Sequence, residues 1–242
     1  MTRGAHKKAF FICAVPRSGS YLLCELLQAT SVAGYPTEYG VLHDEKTWRD
    51  FLGFADHREY FLHFLNKLSV TGNGVFGAKM MFEQLNYFCS DLRRYRSIRA
   101  HGMLEVLDTA FFEPRYIQLL RKDRERQAIS LARAIQTGSW NSAQQPSREP
   151  QYDSILIARA EKSLQVQEMN WNNVLCEIDP SRKLTVYYED ILADMNGSVR
   201  LILKWLNINE QPRPFRQPSL RRQSDILTEQ WITEWRTEKA LR

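Results

Sequence analysis

No CxxC pair occurs in the sequence, and no histidine stands at zinc-finger distance from a cysteine. The four cysteines, Cys13, Cys24, Cys89 and Cys176, are scattered, which argues against a metal site and a disulfide framework alike. They read as reduced, mostly buried thiols. After the basic start, Met1 to Lys8, the apolar run stops at Val15 before Pro16. That run is too short for a secretory leader with a cleavage site and far too short to span a bilayer, so the cytoplasm is the expected compartment. No solid Lys/Arg block of nucleic-acid type is present. The densest basic groups are Arg121-Lys122-Asp123-Arg124-Glu125-Arg126, interrupted by acids, and Arg221-Arg222. The pattern GxxxxGK[ST] is also missing, and with it the lysine and Mg²⁺-binding hydroxyl that nucleoside triphosphate hydrolysis needs. Internal repeats and low-complexity tracts are absent too.

What is present fits one α/β domain over residues 1–242. Apolar residues make up 43% of the chain and charged residues 25%, enough to bury a sizeable core. A net charge of +5 favours an anionic partner but does not choose among nucleic acid, nucleotide and membrane surface.

The run Ala9 to Val15 (AFFICAV) is typical of a strand covered on both faces in a parallel sheet. Pro16-Arg17-Ser18-Gly19-Ser20 follows, and then Tyr21 to Thr30, where Leu22, Leu23, Leu26 and Leu27 recur at helical spacing. The unit reads strand, tight loop, helix. Ala33 to Gly40 is turn-rich, and the aromatic-rich stretch Trp48 to Leu68 predicts helices over the sheet. Val75 to Phe82, Tyr116 to Leu120 and Leu184 to Tyr188 are further strands. A helix starts near Asp123, a good N-cap, with Ala128, Leu131, Ala132 and Ile135 on one face. Gly138 to Gln151 reads as a mobile loop, a candidate lid. A long helix carries Ile157, Ala160, Leu164, Trp171 and Val174, another carries Val199, Ile202, Leu203 and Leu206, and a last one holds Trp231 and Trp235. Pro212, Pro214 and Pro218 make the connection to that last helix extended. Strands alternating with helices imply a three-layer α/β/α fold around a mostly parallel sheet, with ligands at the carboxyl ends of the strands.

A glycine-containing loop between a buried strand and a helix N-terminus turns several backbone N–H groups towards one anion, and the helix dipole adds to the attraction. Phosphate is the natural guest of such a loop. Arg17 can add a bidentate contact and Ser18 and Ser20 hydroxyl donors, while Gly19 permits backbone angles closed to other residues.

Pro16 to Ser20 followed by Tyr21 and Leu23 resembles the 5′-phosphosulfate loop of sulfotransferases that use 3′-phosphoadenosine 5′-phosphosulfate (PAPS). The longer stretch PRSGSYLLCELLQATSVAGYPTEY is similar to the start of the bacterial trehalose 2-sulfotransferase family. The likeness continues through Phe76 to Met80, Leu119 to Trp140, Tyr188 to Ile191 and Pro218 to Asp225. It implies a P-loop-like sulfotransferase fold, PAPS as co-substrate, no metal, a sugar or other small-molecule acceptor and a homodimer. It also implies a second anion site for the 3′-phosphate at Arg121 and Ser130, with Lys122 and Arg124 as alternatives to Arg121, and Arg221 or Arg222 closing over it. A solvated helix face fits the basic residues of that segment equally well.

Sulfuryl transfer needs an in-line nucleophile and positive charge at the departing phosphate. Arg17 meets the second need; Lys79, at the end of an apolar strand, is a further candidate or else a snorkelling surface lysine. The resemblance puts Glu38 at the family's general base, with His43 and His101 as alternatives. Tyr39, Trp48, Phe82 and Trp140 are candidate walls for a sugar. Two other readings stay open: an ATP-dependent small-molecule kinase, and a non-enzymatic anion or nucleic-acid binder.

Overall fold

The computed structural model describes residues 6–39, 50, 53–141, 144–213 and 226–241. In chain order these form β1 (Lys8–Ala14), α1 (Ser20–Thr30), β2 (Thr37–Glu38), α2 (His57–His63) with a π-helical turn (Phe64–Leu68), β3 (Val75–Met81), α3 (Phe82–Arg96) and α4 (Met103–Phe111). Next come β4 (Arg115–Leu120), α5 (Arg124–Thr137), α6 (Ser154–Leu175), a 3₁₀ turn (Pro180–Arg182), β5 (Lys183–Tyr187), α7 (Tyr188–Ala193), α8 (Met195–Trp205) and α9 (Ile226–Ala240).

The strands form a five-stranded sheet in the order β2-β3-β1-β4-β5, parallel at every pairing. β1 lies at its centre because it is the most continuously apolar segment, buried from Ala9 to Ala14. Its alternate residues face two cores. Phe11 and Cys13 pack with Phe76, Phe88, Tyr116 and Trp171, whereas Phe10, Ile12 and Ala14 pack with Leu23, Leu27, Ile117, Ile202 and Leu203. The first core is roofed by α2 to α6 and α9 and the second by α1 and α8, giving the three-layer α/β fold expected.

Several elements differ from the sequence reading. β2 falls within the segment read as turns, since two residues beside Pro36 carry no periodic signal. Helices α3, α4 and α7 were not anticipated, although Leu85, Phe88, Cys89 and Leu92 of α3 are buried at helical spacing. Ile135 does not join its predicted face and is 49% exposed, Ala134 being buried in its stead. The stretch after α5 is a loop as read, with no helix or strand among its described residues, and it is braced internally. Ser139 Oγ donates to Gln144 O at 3.0 Å, Trp140 N to Gln144 Oε1 at 2.6 Å and Ser147 Oγ to Thr137 O at 2.8 Å, so side chains close it on itself. Cys13, Cys24 and Cys89 are buried free thiols, while Cys176 is exposed. Among the described residues no helix is long and apolar enough to cross a membrane.

The end of β1 is anchored from outside the sheet. Trp171 Nε1 on α6 donates 3.0 Å to Ala14 O, immediately before the loop of interest. A buried carbonyl that loses such a partner costs about 1–3 kcal/mol. Trp171→Phe is therefore expected to lower stability by about 1–2 kcal/mol, read as a lower urea midpoint with an unchanged slope; an unchanged midpoint would show that the bond anchors nothing.

Candidate active site

Three segments leaving the sheet at its carboxyl end contribute to one polar cluster. β1 ends in Pro16 to Gly19, β4 in Arg121 to Asp123 and β5 in Tyr188 to Asp190. β1 and β4 are direct neighbours, with Ala14 opposite Leu119, so their loops lie side by side.

The first loop is tight for steric reasons. Arg17 and Gly19 have φ of 61° and 85°, and a Cβ at Gly19 would overlap the Tyr188 ring. Glycine is therefore required twice there, for its angle and for its lack of a side chain. Ser18 N donates to Val15 O at 3.3 Å, and Gln127 Nε2, from the buried face of α5, donates to Pro16 O at 2.8 Å. Ser18 and Ser20 are both buried, and Ser18 Oγ has no hydrogen-bond partner among the described residues.

Arg17 joins the two loops. Its Nε donates to Ser130 Oγ at 2.8 Å and its Nη1 to Trp140 O. In return Arg121 Nη1 donates to Arg17 O at 3.1 Å, and the Arg121 guanidinium lies 5.0 Å over the Tyr188 ring. Its Nε is buried without a partner among the described residues. Burial, and then the neighbouring Arg121, push the Arg17 guanidinium down to about 10. Burial likewise lowers Arg121, against the opposing pull of Tyr188 and Asp123. The Arg121 charge thus lies near enough to act on Arg17.

The other basic residues of this segment are committed elsewhere. Lys122 Nζ pairs with Asp190, and Arg124 with Glu168 on α6. Arg126 pairs with Asp123 and Glu229, and Arg133 donates to Thr228 on α9. They are neither a plain solvated face nor an open cluster; they tie α5 to α6 and α9. Glu189 accepts from Lys122 N at 2.9 Å and Asp123 N at 3.1 Å, while Asp123 caps α5 by accepting from Arg126 N at 2.9 Å.

Glu38 and Lys79, read separately in the sequence, are directly opposite each other on β2 and β3. They form an ion pair, with Lys79 1% and Glu38 15% exposed. Lys79 is thus a buried residue and no snorkelling surface lysine. Gln84, in the first turn of α3, donates its Nε2 to Glu38 Oε1 at 2.7 Å while its Oε1 accepts from Met81 N at 3.0 Å. Lys79 Nζ also sits 3.7 Å from the centre of the Tyr21 ring, which attaches the pair to α1 just after the first loop. Burial works against the Lys79 charge, but Glu38 and Tyr21 outweigh it and the ammonium ends up raised.

Among the other candidates, Tyr39 is 1% exposed in the aromatic core and donates to Asp91 Oδ2 at 2.7 Å, so it walls no cleft. Phe82 packs edge-on to Trp171 at 5.5 Å. Trp140 is 40% exposed, next to Arg17. His101 O accepts from Arg93 Nη2, and Arg93 stands about 14 Å along α3 from Glu38's partner Gln84, so His101 is set apart from this cluster. His43, Trp48, Arg221 and Arg222 lie outside the described residues. Gln84, Gln127, Tyr188 and Glu189 belong to the site without having been singled out. Gln127 left a local trace as a polar residue on an apolar helix face, and Tyr188 and Glu189 fall within a segment of the family resemblance.

An α/β protein with two adjacent cationic loops at the carboxyl ends of its central strands is thus defined before any comparison. Residues 9–238 match the sequence family Stf0 sulphotransferase, and the chain belongs to that family, making it an enzyme of the sulfotransferase class. It is 26% identical to the trehalose 2-sulfotransferase of Mycolicibacterium smegmatis, covering 96% of each chain. It is 27% identical to the trehalose 2-sulfotransferase of Mycobacterium tuberculosis, over 96% of this chain and 95% of that one. Among solved structures, the sulfotransferase domain from the curacin biosynthetic pathway superposes with a TM-score of 0.52 at 17% identity, over 93% of this chain and 83% of the other. That last likeness shows the fold.

The buried pair sets a stability expectation. A raised lysine contributes stability in full below its unfolded value, and loses it only as pH climbs through the higher folded one. The contribution is therefore constant around neutrality and fades only in strong alkali. Lys79→Met, which strands Glu38, is expected to cost about 3 kcal/mol, and adding Glu38→Gln should recover part of it. Additive losses in that double-mutant cycle would show the two side chains to be uncoupled.

Proposed function

We propose that this sulfotransferase takes its sulfuryl group from PAPS and passes it to a hydroxyl of a sugar, with trehalose-like disaccharides as the first class of acceptor. The observation that carries the donor assignment is the contact of Arg17 Nε, in the loop after β1, with Ser130 Oγ on α5, the helix that follows β4, at 2.8 Å. PAPS has a 5′-phosphosulfate and a 3′-phosphate on one ribose, so its binder needs two anion sites a nucleoside apart. Two such loops on neighbouring strands, crowding two guanidinium groups against each other, meet that need. An anion placed there relieves their repulsion.

The chemistry of the donor set fits this ligand. Among the described residues Ser18 Oγ is a buried donor without a partner and Arg121 Nε is unpaired, while Gly19 gives the loop its left-handed turn. Pro16 to Tyr21 would hold the 5′-phosphosulfate. Arg121 and Ser130 would hold the 3′-phosphate, since Lys122 and Arg124 are already paired with carboxylates. PAPS itself supplies the activated sulfur–oxygen bond. Its phosphate leaves as the acceptor oxygen bonds to sulfur, and Arg17 with the loop amides bears the charge that develops. Glu38 would take the acceptor's proton, its two oxygens oriented by Lys79 and Gln84.

The acceptor class rests on the near full-length likeness to two trehalose 2-sulfotransferases and on the exposed Trp140 beside Arg17, an apolar face suited to a sugar ring.

Arg17→Ala is expected to weaken binding of 3′-phosphoadenosine 5′-phosphate by roughly tenfold or more, the worth of a hydrogen bond to a charged group. Ser18→Ala should weaken it by a smaller factor. Glu38→Gln should reduce turnover by roughly 10²-fold or more while nucleotide affinity stays within about threefold of the parent. Calorimetry with the nucleotide, and sulfate transfer to a panel of sugars, measure both. Unchanged affinity in Arg17→Ala would overturn the donor site, and full turnover in Glu38→Gln would remove the base.

A further inference from the structure

Tyr188 touches both cationic loops from outside them. The Gly19 backbone packs so closely on its ring that a methyl group there would meet Cδ2, Cε2 and Cγ. The Arg121 guanidinium lies against the same ring, 5.0 Å from its centre. Gly19 belongs to the loop after β1 and Arg121 to the turn after β4. Tyr188, the first residue of α7, comes from the end of β5, on the far side of β4.

The ring is held in place by its neighbours in sequence. Glu189 binds the backbone N–H groups of Lys122 and Asp123 at 2.9 and 3.1 Å, and Asp190 pairs with Lys122 Nζ. Three consecutive residues thus fix the Arg121–Asp123 turn to the start of α7. The Glu189 carboxylate already occupies those two backbone N–H groups, so an anion at this turn must rely on side chains, chiefly that of Arg121. Where the Arg121 guanidinium sits then depends on the ring beneath it. An aromatic ring has no internal rotation except about two bonds and cannot be compressed, so it acts as a spacer of fixed thickness.

We propose that Tyr188 is a positioning residue that sets the distance between the 5′- and 3′-phosphate sites, and so the advantage a bisphosphate nucleotide has over either monophosphate. The proposal rests on the two-phosphate reading above. Two sites on a rigid frame bind a two-ended ligand more tightly than either end alone, because once one end is bound the other is presented at high effective concentration. That gain disappears when the spacing between sites fluctuates, even if each site is intact.

The experiment is calorimetric titration of the full chain with 3′-phosphoadenosine 5′-phosphate, adenosine 5′-monophosphate and adenosine 3′-monophosphate. Wild type, Tyr188→Phe and Tyr188→Met are compared, each first checked by its melting curve. Methionine fills much of the volume but is flexible. The Met variant is expected to lose roughly tenfold of the bisphosphate's advantage, with each monophosphate changed by less than about threefold. Tyr188→Phe, which keeps the ring, should retain the full advantage. Should the Met protein not fold, Tyr188→Leu is read by the same ratio. A flexible variant that keeps the full ratio, or that weakens all three nucleotides alike, overturns the positioning role and leaves a merely structural residue. A wild-type protein that shows no preference for the bisphosphate instead overturns the two-phosphate reading beneath it.

Discussion

Two like charges held against each other are the feature around which this end of the molecule is built. Arg17 and Arg121 sit on neighbouring loops because β1 and β4 are adjacent and parallel, and the Arg121 charge adds to burial in loosening the proton on Arg17. Left to themselves, two such guanidinium groups would swing apart into water. They stay because each is held by a hydrogen bond, Arg17 to Ser130 on α5 and Arg121 to the carbonyl of Arg17 in the opposite loop. The face of Tyr188 supplies electron-rich contact to Arg121. The repulsion is borne by the fold in advance of any ligand, and an anion entering there finds its counter-charges already in place. Positive charge fixed ahead of the reaction is what an enzyme needs to stabilise a departing phosphate, since no reorganisation is then required at the moment of transfer.

The rest of the architecture serves that arrangement. Trp171 pins the end of β1, Gln127 pins Pro16, Glu189 pins the turn after β4, and carboxylates on α6 and α9 draw off Arg124 and Arg126 of α5. This last point matters electrostatically. Had Arg124, Arg126 and Arg133 all pointed at the loops, the surplus of charge would have made the site a general anion trap. With Arg124 and Arg126 paired to carboxylates and Arg133 turned to Thr228, Arg17 and Arg121 form the cationic centre of this segment.

The parts legible in the sequence were those specified by short-range pattern. The run AFFICAV, the loop PRSGS and the apolar period after it make a strand, a turn and a helix that each announce themselves within a few residues. The same holds for β4 and the Asp123 cap. That Arg17 and Ser130, 113 positions apart, belong together was readable only through family resemblance; the coordinates bring them into contact. What was not legible is tertiary. β2 exists because β3 offers it an edge, and nothing in Thr37-Glu38 alone favours a strand over a turn. Tyr188 and Gln84 are ordinary residues until distant chain segments are packed against them. Lys79 looked as much like a surface lysine as a buried one, because burial of an ammonium depends on a partner 41 residues away, which a linear reading does not pair with it.

Glu38 carries the last consequence of the topology. Its strand is only two residues long, too short to fix a side chain by itself. Lys79 and Gln84 therefore do that work from β3 and α3, one on each carboxylate oxygen. Lys79 is in turn stacked on Tyr21, the second residue of the helix that the first loop opens. A movement of that loop is thus felt by the ammonium and, through it, by the carboxylate. The proposed base and the proposed donor site are separate in sequence and lie on different strands, yet a single aromatic ring joins them mechanically. For a reaction in which attacking oxygen, sulfur and leaving oxygen must fall on one line, such a linkage is worth more than the strength of any one contact in it, because it makes the position of the base depend on the position of the donor.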